Sequence, residues 1–185
     1  MKNLVFLVLL VLLTSCKAQQ PISQTKEGKV KIAGKSFYIK KLTDKYTEVI
    51  NSNNKLTNVQ PAELKLSNGI VVVQHMKIDE KKLIQICADV IPLKTLKELP
   101  KGYGDWLSIR FKVDSKGIPL EMEFLIRNTS LITAGELQQI EEKIKNSSFK
   151  ITFTDGIERF FSRINYFNID IPVRYGDILK AKEGN

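Results

Sequence analysis

The sequence is poor in the residues from which most catalytic and metal sites are built. Its 185 residues include a single histidine, His75, and two cysteines, Cys16 and Cys87. One histidine excludes multi-histidine metal sites, and any histidine-based relay would depend on His75 alone. Gly-x-Ser-x-Gly, His-Glu-x-x-His and a glycine-rich phosphate loop are also absent from the sequence. We therefore expect no catalytic residues, no cofactor and no metal ion.

Two candidate reactive groups have simpler structural interpretations. Cys87 lies in an apolar stretch, which is typical of a buried structural thiol rather than a nucleophile. Glu121 and Glu123 have the spacing of a carboxylate pair, but they alternate along a predicted strand beside Arg110 and Lys112. Cross-strand charge pairing accounts for that pattern without catalysis.

The first fifteen residues are typical of a secretory signal. Lys2 precedes an apolar run of about ten residues, which is too short to span a bilayer, and small residues follow. The sequence Leu-Thr-Ser-Cys at 13–16 resembles the lipobox of bacterial lipoproteins. That resemblance implies cleavage before Cys16, diacylglycerol on its sulfur and usually an N-acyl chain. The alternative is an ordinary signal peptide that happens to precede a cysteine.

The stretch 16–27 is predicted to be a flexible tether, because it is polar and Ile22 is its one large apolar residue. It lacks the acidic cluster that follows the acylated cysteine of lipoproteins sent to the outer leaflet in some Gram-negative lineages. We therefore expect a cell-envelope protein held by Cys16 at the outer membrane and facing the periplasm. Removal of Lys2 with the signal lowers the formal charge from +9 to about +8, and this charge is then expected to face lipid headgroups or glycans, not nucleic acid.

The segment 28–104 is predicted to be rich in β-strand, with one short helix. Apolar residues alternate across 30–39 and predict a hairpin, and 68–73 carries a turn followed by a buried strand. Residues 82–91 are compatible with either a strand or a helix, and we assign them to a strand. A short helix is predicted at 93–99, where Pro100 ends it.

The segment 105–185 carries the clearest pattern in the chain. Period-two alternation predicts strands at 106–113 and 118–127, joined by a turn at which Gly117 takes a positive φ. A final strand is predicted at 167–173. Because a two-stranded hairpin is marginal alone, we expect this segment to share one core with 28–104.

A well-marked helix lies between these strands. Thr133 and Glu136 form a capping box, and Ile132 and Leu137 occupy the staple positions that fix the entry of the chain. The helix is predicted to end near 146–148 and to lie across the apolar face of the hairpin.

The order of hairpin, helix and strand, with Val-Asp-Ser-Lys-Gly at 113–117, resembles the C-terminal domain of TonB and its relatives. Small envelope lipoproteins with such a domain are also similar in the helix start at 133–137 and the ending at 175–179. The resemblance implies an α+β fold, in which one main helix packs on an antiparallel sheet. The inner-membrane anchor and proline-rich spacer of TonB are absent, so neither energy transduction nor any catalytic residue is implied.

These patterns favour a lipid-anchored binding or interaction module whose partner is an envelope protein, a peptide or a glycan. The alternative is a hydrolase acting on envelope polymers, or an inhibitor of one. Relatives of TonB bind by lending a sheet edge to another strand, and Pro172 is typical of such an edge. The predicted interaction surface is therefore on the last strand, at Phe167, Ile169, Ile171 and Arg174. Residues 175–180 are expected to form a short terminal turn, and residues 175–182 to fold back over this edge as a removable guard.

Overall fold

A computed structural model describes residues 20–32, 34–61, 75–102, 105–154 and 164–184. The predicted signal peptide, Cys16 and the elements predicted at 68–73 lie outside the described residues. Within these ranges the strands are β1 (Gly28–Ile32), β2 (Lys35–Lys41), β3 (Tyr46–Asn51), β4 (Met76–Ile78), β5 (Trp106–Val113), β6 (Pro119–Arg127), β7 (Ile151–Phe153) and β8 (Phe167–Arg174). The helices are α1 (Glu80–Val90), α2 (Leu93–Glu98), α3 (Ala134–Lys145) and α4 (Tyr175–Glu183), and a 3₁₀ turn at Ile22–Gln24 precedes β1.

Six strands form one antiparallel sheet in the order β1-β2-β3-β6-β5-β8. β4 and β7 pair separately as a two-stranded sheet. The pairing of β3 with β6 joins the predicted segments 28–104 and 105–185 in one sheet. The predicted α+β class with an antiparallel sheet is confirmed.

The sheet buries one face against the helices. Along this face Ile39, Val49, Phe124, Ile109 and Ile171 stand opposite one another on five neighbouring strands, and all are buried. The same core cluster includes apolar side chains from each of the four described helices. α3 packs on β6, as predicted, and α1 packs on both α3 and α4.

The strand predicted at 82–91 is wrong, because this stretch forms helix α1. Leu83, Ile86 and Cys87 are buried at spacings of three and four residues, which is the period of a helix face. Asp79 caps the helix by accepting a hydrogen bond from the backbone N–H of Lys82 at 3.0 Å. The short helix predicted next is confirmed as α2.

The structure differs from the predicted tether from Pro21 onward. Ile22 is fully buried, and its N–H donates to the carbonyl of Ile132 at 2.9 Å. Pro21 forms an isolated bridge with Thr133. An apolar side chain of this size is held in a core by the area it removes from water, so the single large apolar residue of the stretch docks it beside the start of α3.

The hairpin and the capped helix are confirmed. Gly117 has φ +80°, and an added Cβ would collide with the carbonyl of Ile151. At the start of α3 the Thr133 N–H donates to Glu136 at 2.7 Å, and the Glu136 N–H donates to the Thr133 hydroxyl oxygen at 3.2 Å. Ile132 and Leu137 are both buried, as the staple requires.

The short terminal turn predicted at 175–180 is wrong. These residues belong to α4, which has nine residues and packs on α1 and α2. Tyr175 and Ile178 are buried, so one side of the helix is part of the core. Lys182 also donates to the carbonyl of Ala88 near the end of α1, at 2.6 Å.

We predict that Thr133→Ala lowers the free energy of unfolding by about 1 kcal/mol, the usual cost of losing an N-cap. Denaturant-induced unfolding measures the change. Gln139→Ala, an exposed change in the same helix, is the control and should shift the midpoint far less. Coincident midpoints for the parent and the Thr133 variant would contradict the role of the capping box.

Candidate functional site

The predicted interaction surface on β8 is mostly turned into the core. Phe167, Ile169 and Ile171 are buried, whereas Arg174 is exposed. β8 does lie at the end of the six-stranded sheet, next to β5, with Pro172 opposite Ser108. Three of the four predicted side chains therefore pack in the protein interior, and what this strand presents outward is its edge and its alternate residues.

The opposite face of the sheet carries a row of functional groups. Tyr38, Ile50, Glu123, Arg110 and Asp170 stand in register across β2, β3, β6, β5 and β8. Because successive residues of a strand point to opposite faces, these are neighbours in sequence of the buried row. The sheet thus has one apolar face and one face with an aromatic and ionic row, which we call the outer face.

Arg110 is the centre of this row. Its Nε donates to Asp170 at 2.9 Å, and its Nη1 lies 3.1 Å from Glu48 and 3.5 Å from Glu123. Burial alone would lower the pKa of Arg110, but the hydrogen bond and charge of Asp170, with the charges of Glu123 and Glu48, raise it above its ordinary value. The guanidinium is therefore a fixed positive charge that orients three carboxylates.

Beside it lies a buried ion pair. Lys112 Nζ is 2.8 Å from Glu123 Oε1, and the two residues are only 3% and 4% exposed. The ammonium also lies 5.8 Å from the centre of the Tyr166 ring, within the range of a cation–π contact. The predicted charge pairing of Arg110 and Lys112 with Glu121 and Glu123 is confirmed in register. The Lys112 ammonium, however, contacts Glu123 rather than the directly opposite Glu121.

Glu121 is used instead to hold the loop that follows β3. Its carboxylate accepts the backbone N–H groups of Lys55 and Leu56 at 2.6 and 2.9 Å. Asn54 donates to the carbonyl of Met122 at 2.8 Å, and the Thr57 hydroxyl donates to Glu123 at 3.0 Å. These hydrogen bonds hold residues 54–57 against the outer face of β6.

The loop and the sheet enclose an open groove of about 650 Å³, which we call the Tyr38 groove. Its lining includes Tyr38, Lys40, Glu48, Ile50, Asn54, Thr57, Asn58, Arg110 and Glu123. Tyr38 is 46% exposed, a large fraction for an aromatic side chain, and Lys29 Nζ lies 5.8 Å from its ring centre. The groove therefore combines one exposed aromatic ring with a lining that is mostly polar and charged.

The groove does not have the features of a hydrolytic site. Glu48 and Glu123 approach the same nitrogen of Arg110, whereas a general-acid carboxyl is typically set in an apolar pocket without a cation. Cys87 is also unsuited to nucleophilic chemistry, because burial raises the pKa of its thiol to about 12. No group of three or more His, Cys, Asp or Glu side chains that could hold a metal ion occurs among the described residues.

Sequence reasoning missed Tyr38 and the loop at 54–58 as site residues. The alternation across 30–39 already placed Tyr38 opposite to Phe37 and Ile39, which are buried. A tyrosine placed on the exposed side between two core positions could have indicated a site residue. The loop gave none, because its position over β6 depends on contacts with residues more than sixty positions away in sequence.

Comparison with known proteins gives a likeness of fold. No protein-family model and no curated protein matches the sequence. The structure is similar to the crystal structure of a DUF5043 family protein from Bacteroides uniformis, with a TM-score of 0.63 and 15% identity. The match covers 84% of this chain and 88% of the other. At this identity the likeness shows a shared α+β fold, and that family is one of unknown function.

In the ranges that the structure describes, no helix combines the length and hydropathy needed to cross a bilayer.

The buried ion pair between Lys112 and Glu123 is expected to affect stability when one partner is removed. Lys112→Met should lower the free energy of unfolding by about 3 kcal/mol, because it leaves the Glu123 carboxylate buried without its ammonium. Adding Glu123→Gln to that variant should recover part of the loss. Denaturant-induced unfolding of the single and double variants measures both effects.

The matched control is Lys143→Met, which removes the lysine of an exposed pair with Asp89 at 3.2 Å. Its cost should stay within about 0.5 kcal/mol, the usual size for surface pairs. Equal losses of unfolding free energy in the Lys112 and Lys143 variants would show that the Lys112–Glu123 pair behaves like an exposed surface pair.

Proposed function

We propose that the protein is a lipid-anchored binding module of the cell envelope and that the Tyr38 groove is its ligand site. The observation that carries the proposal is the groove itself. An exposed aromatic ring and a set of hydrogen-bonding groups lie side by side, most of them on strands, and the loop that supplies the others is hydrogen-bonded to β6. Sites on strands hold their groups with little freedom, which lowers the entropic cost of binding.

The ligand class follows from how the charges are already used. Arg110 is paired with Glu48 and Glu123, and Glu123 with Lys112. Paired carboxylates keep lone pairs that can accept hydrogen bonds from hydroxyl groups, and the amides of Asn54 and Asn58 can donate and accept. The groove therefore suits a neutral, hydroxyl-rich ligand, which in an envelope is a glycan. Tyr38 would pack its ring against the apolar face of a sugar.

The order of the secondary-structure elements along the chain supports the likeness to the C-terminal domain of TonB. The β5–β6 hairpin, α3 and β8 follow one another as the resemblance implies, and β8 returns to lie beside β5. β7 intervenes and joins β4 in the smaller sheet. We infer that residues 105–174 are a TonB-C-like unit to which β1–β3 add three strands.

The edge of β8 is a second candidate, for a peptide partner. It borders a shallow groove of about 300 Å³ that includes Glu80, Ile84, Pro172 and Asp177. A strand added at such an edge binds mainly through main-chain hydrogen bonds. This surface is smaller than the Tyr38 groove, so we rank it second.

The anchor is tested by Cys16→Ala. Because the sulfur of Cys16 is the proposed acylation site, the variant should take up no label from a fatty-acid analogue fed to growing cells. Cys87→Ala is the matched control, since its thiol is buried, and it should label as the parent does. Equal labelling of the Cys16 variant and the parent would rule out this anchor.

The ligand site is tested with immobilised oligosaccharides prepared from peptidoglycan and lipopolysaccharide. Tyr38→Ala should weaken binding of the recognised glycan by about tenfold, which corresponds to the loss of about 1.4 kcal/mol of aromatic stacking. Tyr38→Phe keeps the ring and should bind nearly as well as the parent.

Ile118→Ala is the control, because Ile118 is equally exposed, at 48%, and is not part of the groove lining. Binding that is lost to the same degree in the Tyr38 and Ile118 variants, or binding to none of the glycans, would refute the Tyr38 groove as a glycan site.

A further inference from the structure

A second groove, of about 770 Å³, opens at the beginning of α3, and we call it the α3 groove. Apolar walls come from Pro21, Ile32, Val90, Pro92 and Leu131. Its polar groups include Lys94 and Glu98 on α2 and Glu136 and Gln138 on α3. It is larger than the Tyr38 groove, has none of the described lining residues in common with it and lies on the helical side of the sheet.

Gln138 is the unusual residue of this groove. The residue is only 9% exposed, and its Oε1 atom has no hydrogen-bond partner in the described part of the chain. Its Nε2 donates to Glu142 at 3.2 Å. This hydrogen bond sets the orientation of the amide, so that Oε1 is the atom without a partner among the described residues. A buried acceptor without a donor destabilises a protein, so this oxygen has room for one further partner, such as a water molecule or a ligand group.

The second feature of the α3 groove is its pair of carboxylates, Glu98 and Glu136. Within the described residues neither Glu98 nor Glu136 takes part in an ion pair. Burial raises the pKa of Glu136, and the hydrogen bonds from Thr133 offset only part of that effect. The groove thus holds the carboxylates of Glu98 and Glu136 beside one lysine, Lys94.

The position of the groove relates it to the membrane, on the assumption that Cys16 is acylated as proposed above. Pro21 forms part of its wall and follows Cys16 by five residues. Five residues span at most about 17 Å. The lipid on Cys16 would therefore hold the opening of the groove within reach of phospholipid headgroups.

We propose that the α3 groove binds the headgroup of a membrane phospholipid that ends in a primary ammonium group. The ammonium donates to Gln138 Oε1, and the carboxylates of Glu98 and Glu136 supply opposite charge in the same groove. Lys94, which is exposed at the rim, faces the phosphate, and the apolar wall accepts the adjoining glycerol and the start of the acyl chains. The inference rests on the proposed anchor, because the anchor supplies the bilayer.

Two alternatives fit the groove less well. A simple anion would meet Glu136 and Glu98 and would leave Gln138 Oε1 without a donor. A choline headgroup carries the same charge as an ammonium group but has no N–H, so it cannot complete Gln138 either. The difference between ammonium and trimethylammonium is therefore the sharpest test of the site.

The test uses the full-length acylated protein in lipid nanodiscs. One set contains phosphatidylcholine alone, and the other contains equal parts of phosphatidylcholine and phosphatidylethanolamine. Backbone amide exchange in residues 134–139 should be about tenfold slower with phosphatidylethanolamine, because one or two charge-assisted hydrogen bonds hold the first turn of α3. Equal exchange in both lipids would overturn the proposal, and this comparison requires no variant.

Gln138→Leu should abolish the difference between the lipids. The variant is expected to fold, because it replaces an unsatisfied buried amide with an apolar side chain of similar size. Gln139→Leu is the matched control, since Gln139 is exposed at the rim of the same groove. A lipid difference that persists in the Gln138 variant would place the headgroup elsewhere.

A second measurement separates this proposal from the proposed function. Glycerophosphoethanolamine and glycerophosphocholine are titrated into the same protein in phospholipid-free detergent. The expected result is binding of the ethanolamine compound alone, which requires no anchor and leaves glycan binding at Tyr38 unaffected. If the ethanolamine compound binds but the nanodiscs show no lipid effect, the ligand is a soluble amine and the membrane assignment is wrong.

Discussion

Glu123 holds the outer face of the sheet together, and most of the arrangement there depends on it. Its carboxylate contacts Lys112, Arg110 and Thr57, which belong to the neighbouring strand β5 and to the loop after β3. A buried ion pair of this kind adds little net stability compared with apolar packing, but breaking it is costly. That asymmetry fixes register, because a slip of one residue in β6 would turn Glu123 into the core and Phe124 out of it. The alternation of β6 therefore determines both faces of the sheet at once.

The elements that sequence reasoning found are those specified by neighbours in the chain. The capping box joins Thr133 to a residue three positions on, and the turn at Gly117 is decided by one φ angle and its flanking strands. The resulting hairpin and helix agree with the prediction to within about a residue, as local signals should allow. The prediction of a strand at 82–91, where α1 forms, was wrong for a local reason as well. Its apolar residues are so dense that they fit both periods, and only the burial of Leu83, Ile86 and Cys87 on one side distinguishes them.

The candidate site could not be predicted in the same way. Tyr38, Glu123 and Arg110 lie on three different strands, and they become neighbours only when β2, β3, β6 and β5 pair in this order. Strand order is a property of the whole chain, and β3 itself gave no prediction although it joins the two halves of the sheet. The pairing of Arg110 with Glu123 was predictable because both lie on one hairpin. The groove that they help to line was not, since its other wall comes from a loop after β3.

Two grooves on opposite layers of the molecule allow two kinds of contact at the same time. The α3 groove is formed mainly by helices and by the entry of the chain at Pro21, whereas the Tyr38 groove is formed by the outer face of the sheet. Among the described residues the two grooves have no lining residue in common. A protein held to a bilayer on its helical side would leave the outer face of the sheet open to a ligand in the surrounding space. The unsatisfied Gln138 amide and the exposed Tyr38 ring each carry a cost in the unbound protein, since one is a buried acceptor without a donor and the other an aromatic ring in water. A bound headgroup and a bound glycan would remove these costs at separate places, so the two binding events are expected to be independent.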